Sequence, residues 1–340
     1  MFENRLVREI GSEFWQRYPV ADNKLENERY LLSGRTALWF IIEDIKKNRI
    51  FRKALLPSYC CESMIDPFRR MGIEVQFYHV GIDYVNYPFN NDSDVVLLID
   101  YFGYINFQNI EIARMAKKAG KIVIYDATHK IDGNENVQCY ADYSFCSYRK
   151  WFYCNCSKLI KHNGVFDNDI ELEFNDSYCD LRNKASELKE SYILGQIDNK
   201  EEFLELYSQA EQLLKIDYKG YAGTPVSVDV EEIVRRRREN ALYLTSELRK
   251  VPEIKLWRND INEDDVPMFV PILVDSLVRN DIRSALIKEK IYCPIHWPQP
   301  TLGNIDDDLY NRELSLVCDQ RYDISDMQRI VEAIKLYFGR

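Results

Sequence analysis

Apolar and polar positions follow two periods along the first two-thirds of the chain, and the switches between them lay out its elements. After a polar N-terminal arm (1–20), SGRTALWFIIEDIKKNR (33–49) predicts a turn feeding an amphipathic helix. ALLPSYC (54–60) is an apolar run broken by Pro57, ESMIDPFRRMG predicts a helix ending at Gly72, and EVQFYHV (74–80) alternates as a strand. VVLLIDYF (95–102) is apolar almost throughout. IEIARMAKKAG (110–120) is a helix with glycine at its end, and KIVIYD (121–126) is a further strand. Strands this apolar must be covered on both faces, so the succession predicts an α/β chain with a mostly parallel sheet between two layers of helices.

The pattern changes after residue 168. NKASELKESYILGQ and NKEEFLELYSQAEQLLKI are acidic, helix-periodic and poor in β-branched residues. YKGYAGTPVS (218–227) concentrates Gly and Pro and reads as a joint. Beyond it a charged helix (229–250) leads into an α+β tail, with VPMFVPILV and YCPIHWP as strands and DIRSALIKEK and SDMQRIVEAIKLYF as helices. The expected organisation is an arm (1–20), a large domain (21–225) and a smaller C-terminal α+β domain (226–340).

Composition narrows the function. At 340 residues the chain exceeds what one core holds, and with only 13 glycines it is no flexible low-complexity polymer. A net charge of −10 opposes a general nucleic-acid surface. The one basic run, Arg235–Arg238, has Glu231, Glu232 and Glu239 around it and reads as a solvated helix face. No run approaches the ~20 apolar residues of a membrane span, and the first residues lack a signal-peptide core. Nine cysteines form no regular framework, which suits free thiols in the cytoplasm. Cys154 and Cys156 have no second close pair to complete a zinc site, so no metal is expected.

Three local features carry candidate chemistry. Ser33-Gly34-Arg35-Thr36 opens a helix, whose free N–H groups suit a phosphate, although most such turns only cap. Asp126 ends an apolar strand, where ligands of open α/β sheets sit, with His129 three residues on. The alternative for that carboxylate is a cap. Lys150 lies in the aromatic run YSFCSYRKWFYCNC (143–156), where apolar neighbours favour the free, nucleophilic amine unless the side chain snorkels to the surface. Taken in order, a phosphate cradle, an acid and a lysine fit a pyridoxal 5'-phosphate site.

On these residues the sequence resembles the DegT/DnrJ/EryC1/StrS sugar aminotransferases, which have the aspartate-aminotransferase fold (fold type I). The family's phosphate turn is matched by Ser33, Gly34 and Thr36. Its Pro-x-Tyr segment resembles Pro57-Ser58-Tyr59-Cys60-Cys61. Its Asp-Ala-x-His motif is similar to Asp126-Ala127-Thr128-His129, and its lysine segment to the stretch ending at Lys150. The resemblance implies that Lys150 carries the cofactor and shuttles the proton, that Asp126 pairs with the ring nitrogen, and that His129 approaches the ring. It places Gly34, Arg35, Thr36 and Ser147 around the phosphate, Tyr59 or Cys61 over the ring, and His296 toward the acceptor. It further implies a homodimer and small-molecule substrates, with glutamate as donor and a keto-sugar nucleotide as acceptor, in polysaccharide or secondary-metabolite biosynthesis. Phe145 replaces a phosphate-contacting serine, and Tyr153-Cys154-Asn155-Cys156-Ser157 replaces a glycine-rich turn. Bulk there is expected to crowd the site, which keeps a non-sugar acceptor and a catalytically degenerate homologue as alternatives.

Overall fold

Every position of Val95–Ile99 is buried, and so is every position of Tyr143–Ser147, which fixes both strands inside a sheet covered on two faces. The computed structural model describes residues 8–21, 25–82, 85–88, 90–131, 133–166, 170–301 and 308–340. Residues 1–7 of the expected arm lie outside the described residues. The described arm begins with β1 (Ile10–Gly11), followed by β2 (Glu28–Leu31), α1 (Gly34–Asn48), β3 (Lys53–Pro57), α2 (Glu62–Arg70) and β4 (Glu74–Val80). Then come β5 (Val85–Asn86), β6 (Val95–Ile99), α3 (Phe107–Lys118), β7 (Ile122–Asp126), α4 (Glu135–Gln138), β8 (Tyr143–Ser147) and β9 (Ser157–Lys161). Strands β2 to β9 form one sheet in the order β2-β9-β8-β7-β6-β3-β4-β5. The pairs β3/β4, β3/β6, β6/β7 and β7/β8 are parallel, and β9, β2 and β5 run antiparallel to their neighbours.

The acidic segment forms an antiparallel-packed pair of helices, α5 (Asp176–Ile193) and α6 (Glu201–Ile216), with a small apolar cluster of its own around Ala185, Phe203 and Tyr207. The tail contains α7 (Val230–Leu248), β10 (Lys255–Leu256), β11 (Phe269–Leu273), α8 (Arg279–Lys288), β12 (Ile291–Tyr292), α9 (Leu309–Arg312), β13 (Glu313–Val317) and α10 (Ile324–Tyr337). Strands β10, β11 and β13 make a three-stranded antiparallel sheet over a second core, with Leu244, Ile272, Leu316 and Ile330 at its centre. The expected strand YCPIHWP shrinks to Ile291–Tyr292, which pairs in parallel with β1. Pro294 and Pro298 lack ladder donors, so the remainder runs on as a loop. Ile10 thereby joins the C-terminal core, and the arm is packed onto the tail.

The strand expected over 95–102 ends at Ile99 because Asp100 turns the chain inward. Its buried carboxylate accepts from Tyr125 Oη at 3.0 Å, from Asn109 and Asn134 Nδ2 at 2.8 Å each, and from the Asn106 backbone at 3.1 Å. The turn brings Gly103 against the tail, where a Cβ would stand 1.8 Å from the Val266 carbonyl oxygen at a φ of +86°. Only glycine tolerates that approach, and the Val266 and Met268 amides bond the carbonyls of Gly103 and Phe102 at 2.9 and 2.8 Å. The two lobes are thus stitched together beside the C-terminal ends of β6 and β7. Among the described residues no helix is long and apolar enough to cross a membrane.

Asp44 of α1 is buried, accepts from Tyr143 Oη at 2.6 Å and pairs with Lys161 at 2.8 Å. Asp44→Asn keeps the tyrosine contact and leaves the lysine uncompensated, so it is expected to lower unfolding free energy by about 3 kcal/mol in urea titration.

Candidate active site

Two parallel strands end side by side, and their ends set the site. Asp126 is the last residue of β7, in register with Phe145 of β8. Beyond β8 a 3₁₀ turn, Tyr148–Lys150, points the lysine back across the strand ends. Three hydrogen bonds lace the two segments together: Ala127 N to Phe145 O at 2.8 Å, Ser147 N to Thr128 Oγ1 at 3.1 Å, and Trp151 Nε1 to Thr128 O at 2.7 Å. Trp151 is fully buried, with the Arg237 guanidinium over its ring at 4.3 Å and Gln320 Nε2 on its carbonyl at 2.5 Å. The residue after the lysine is therefore gripped by both lobes.

Lys150 stands between two cavities. One, of about 640 Å³, holds Ser33, Gly34, Cys61, Asp126, His129 and Ser147 on its walls. The other, of about 670 Å³, opens toward the arm and the tail. Lys150, Arg149, Glu211 and His296 line both. The lysine side chain is accessible to these hollows. Its amine makes no hydrogen bond or ion pair among the described residues. Burial first, and then the neighbouring Arg149 charge, hold its pKa below the usual lysine value. Arg149 itself is paired with Glu211 of α6. The helical segment 168–216 thus supplies a wall shared by both cavities.

Asp126 is buried and accepts from the Thr128 amide at 2.8 Å. No cation pairs with it among the described residues. Desolvation raises its pKa to about 6. His129 receives the Phe102 amide on Nδ1 at 3.0 Å, so a neutral ring carries its proton on Nε2. Burial, and then the Lys150 charge, push its pKa down to about 3, which keeps the ring neutral across the physiological range. At the helix end Ser33 caps α1, accepting from Thr36 N at 3.2 Å. At Gly34 a Cβ would stand 3.3 Å from the Phe145 ring, a tight approach that favours the absence of a side chain. Arg35 reaches Leu214 O at 2.9 Å, while its buried Nε has no partner. The start of α1, Ser147 and Arg35 all border the first cavity.

Eight of the ten residues singled out from sequence converge on the first cavity: Gly34, Arg35, Cys61, Asp126, His129, Ser147, Lys150 and His296. Two do not. Thr36 is turned inward, its hydroxyl donating to the Tyr218 carbonyl at 2.7 Å. Tyr59 is fully buried in an aromatic cluster with Tyr101, Trp257 and Tyr310, so it cannot cover a ligand ring. Trp297 fills that role geometrically, stacking on His129 with centroids 5.3 Å apart and planes at 29°. The expected crowding by 153–157 is also absent, for none of these residues lines either cavity. Tyr153 bonds Asn183 of α5 at 2.6 Å, and Asn155 receives Arg182 at 3.3 Å, so the bulk is directed into the α5 packing. Sequence reasoning passed over Arg149, Glu211 and Trp297. The first adjoins the lysine and the last lies in the quoted IHWP loop. Glu211 looks like any acid of a charged helix until the fold brings it in.

No family model matches the sequence, and no curated protein matches it. Solved structures match the fold. The chain is similar to Helicobacter pylori PseC, an aminotransferase involved in pseudaminic acid biosynthesis, at 12% identity and a TM-score of 0.64 over 96% of this chain and 100% of that one. It is also similar to a DegT DnrJ EryC1 StrS aminotransferase from Brucella abortus (14%, TM-score 0.61, covering 92% and 86%). A third likeness is to NtdA from Bacillus subtilis with bound cofactor PMP (13%, TM-score 0.60, covering 92% and 73%). The fold is therefore that of the fold type I aminotransferases, with the large mostly parallel sheet and smaller α+β lobe expected from the sequence.

Two outcomes follow from the geometry. Trp151→Ala removes the ring that both lobes hold and is expected to destabilise the protein by about 3 to 5 kcal/mol in denaturant unfolding. Asp126 gives an opposite result. An acid whose pKa rises on folding, here from 3.8 to about 6, makes the folded state lose stability as pH climbs through that window. Asp126→Asn is expected to stabilise the protein, with no ligand added, by up to about 3 kcal/mol above that window and to change little below it. Urea titrations at acid and at mildly alkaline pH check both sign and window.

Proposed function

We propose that the chain is a pyridoxal-phosphate-dependent aminotransferase acting on a small anionic keto acceptor, a keto-sugar nucleotide, with glutamate as amino donor. The observation that carries this reading is one cavity in which a desolvated carboxylate with no cation on it, a lysine whose amine has no partner among the described residues, and a helix N-terminus face a common space. A protonated ring nitrogen is the partner that Asp126 lacks, an aldehyde is what an unprotonated amine takes up, and a phosphate suits the cradle of Gly34, Arg35 and Ser147. The residues present fit the group.

Bound pyridoxal phosphate supplies an aldehyde carbon that receives the amino group and a ring that draws electrons from the substrate carbon. Lys150 would hold the cofactor, and its free amine would move the proton between the donor carbon and the aldehyde-derived carbon, in one direction in the first half of the cycle and in the other in the second. Its lowered pKa leaves a larger share of the amine free to do so. Asp126 would pair with the ring nitrogen and hold it protonated, and a cation there would favour the ionised carboxylate. His129 would offer its Nε2 proton as a hydrogen bond to the group, and Trp297, stacked on His129, would help to exclude water.

The second cavity supports the choice of acceptor. Among the charges lining it, Lys200 pairs with Glu9 at 3.4 Å and Arg321 with Asp319 at 2.8 Å. Lys189, Arg237 and Arg283 bond only carbonyl or amide oxygens among the described residues. Seven basic side chains line this hollow against four acidic ones, and that surplus, ending at Lys150, favours an acceptor bearing phosphate. Burial lowers the Lys189 pKa to about 7, and an anion seated beside it raises that value again.

The test is the visible spectrum of the protein with added pyridoxal phosphate, before and after glutamate, in the native chain and in Lys150→Ala. A yellow band that glutamate bleaches and that the variant does not form is expected. Absence of the band in the native chain overturns the reading. Asp126→Asn is expected to bind the cofactor yet lose at least about a hundredfold in turnover, because a buried charge partner costs about 3 to 5 kcal/mol to remove.

A further inference from the structure

His296 projects from the tail into the space beside Lys150, and its hydrogen bonds lead away from the site along β13. Its Nδ1 lies 2.9 Å from Ser315 Oγ, and Ser315 Oγ is bonded to the Glu313 carboxyl. The other Glu313 oxygen accepts from the His296 backbone amide at 2.7 Å, which closes a ring of three residues. Glu313 and Ser315 are fully shielded from solvent, and His296 is nearly so. Alternate residues of a strand share a face, so Glu313 and Ser315 stand side by side beneath the imidazole.

We propose that Glu313, acting through the Ser315 hydroxyl, sets which ring nitrogen of His296 carries the proton, and so whether His296 offers a donor or an acceptor beside Lys150. Ser315 has one proton to give. When Glu313 is protonated, its O–H donates to Ser315 Oγ, the serine donates to His296 Nδ1, and Nε2 carries the hydrogen. When the carboxyl is ionised, the serine donates to it, His296 Nδ1–H donates to the serine, and Nε2 is left bare. The passage between the two states balances: Glu313 hands its proton to Ser315, Ser315 hands its own to Nδ1, and Nε2 releases one to the cavity. Glu313 is a positioning residue here, since it touches the site only through its neighbours.

The surroundings place the changeover in a useful range. Burial raises the Glu313 pKa to about 8. Facing it are Arg279 of α8, which bonds the Glu313 backbone carbonyl at 3.3 Å, and Cys293 after β12, whose thiol is raised by burial to about 12. Burial, then His129 and Lys150, hold the His296 pKa well below the usual imidazole value, so the ring stays neutral on both sides of the change. A neutral ring with a switchable tautomer can accept a hydrogen bond from a donor group in one state and supply one in the other.

The use of the relay rests on the reading that chemistry occurs at Lys150, but its test needs neither cofactor nor turnover. The chain has four histidines, so ¹⁵N-histidine labelling gives a resolvable spectrum, with His296→Asn assigning the signal. As pH rises through about 8, the His296 signals are expected to pass from the Nε2-protonated to the Nδ1-protonated pattern. Glu313→Gln and Ser315→Ala are each expected to abolish that pH dependence, and the serine variant carries the test if the glutamate variant fails to fold. A His296 tautomer that stays constant in the native chain, or a change that persists in Ser315→Ala, overturns the relay. A relay confirmed in a chain that forms no band with pyridoxal phosphate leaves the tautomer control standing and sinks the aminotransferase reading alone.

Discussion

Desolvation of ionisable groups at the strand ends governs this molecule. An amine is nucleophilic only without its proton, and a free aqueous lysine keeps that proton at neutral pH. Setting Lys150 between two hollows, with the Arg149 guanidinium adjoining and no carboxylate in contact, moves the balance toward the free amine. Asp126 and Glu313 feel the same low-dielectric surroundings with the opposite sign and gain affinity for protons. His129 and His296 lose theirs. The interior is thereby stocked with groups near neutrality, where an added charge or a small change in hydrogen bonding decides who holds the proton.

Such groups cannot be left loose, because a misplaced buried polar atom costs about as much as it could contribute. The fold answers by fixing the lysine turn from every side. The loop after Asp126 bonds β8 and the turn beyond it three times, Arg237 and Gln320 grip Trp151 from the tail, and Gly103 admits the Val266 backbone so closely that no side chain intervenes. The lobes consequently meet on the lysine segment itself. Relative movement of the tail would be felt first at Trp151, one residue from the amine.

Much of this was legible in the sequence, for reasons that separate the readable from the hidden. The apolar runs at 95–99 and 122–126 have to be central strands, and an acid such as Asp126 at the end of one has few structural uses. Lys150 stood out because nothing else in its aromatic run is basic except Arg149. Thr36 and Tyr59 were misplaced because type and spacing do not say which way a side chain turns: the Tyr218 carbonyl captures one, and an aromatic cluster assembled from four distant segments captures the other. Glu211, Ser315 and Glu313 are ordinary polar residues on an α-helix and a short strand. Only tertiary contact shows that they face the site.

The departure at 153–157 shows what the architecture must keep and what it can exchange. A glycine-rich turn after the lysine lets a backbone approach closely, and bulky residues in the same place would obstruct the site if they pointed inward. Here they point outward because Arg182 of α5, buried against Asn155 and over the Tyr207 ring at 5.1 Å, fills the space behind the turn and gives Tyr153 a surface to lie on. The helical pair that accepts this bulk also delivers Glu211 to Arg149. The lysine turn does not depend on small residues at 153–157, because it is held from the strand ends and the tail.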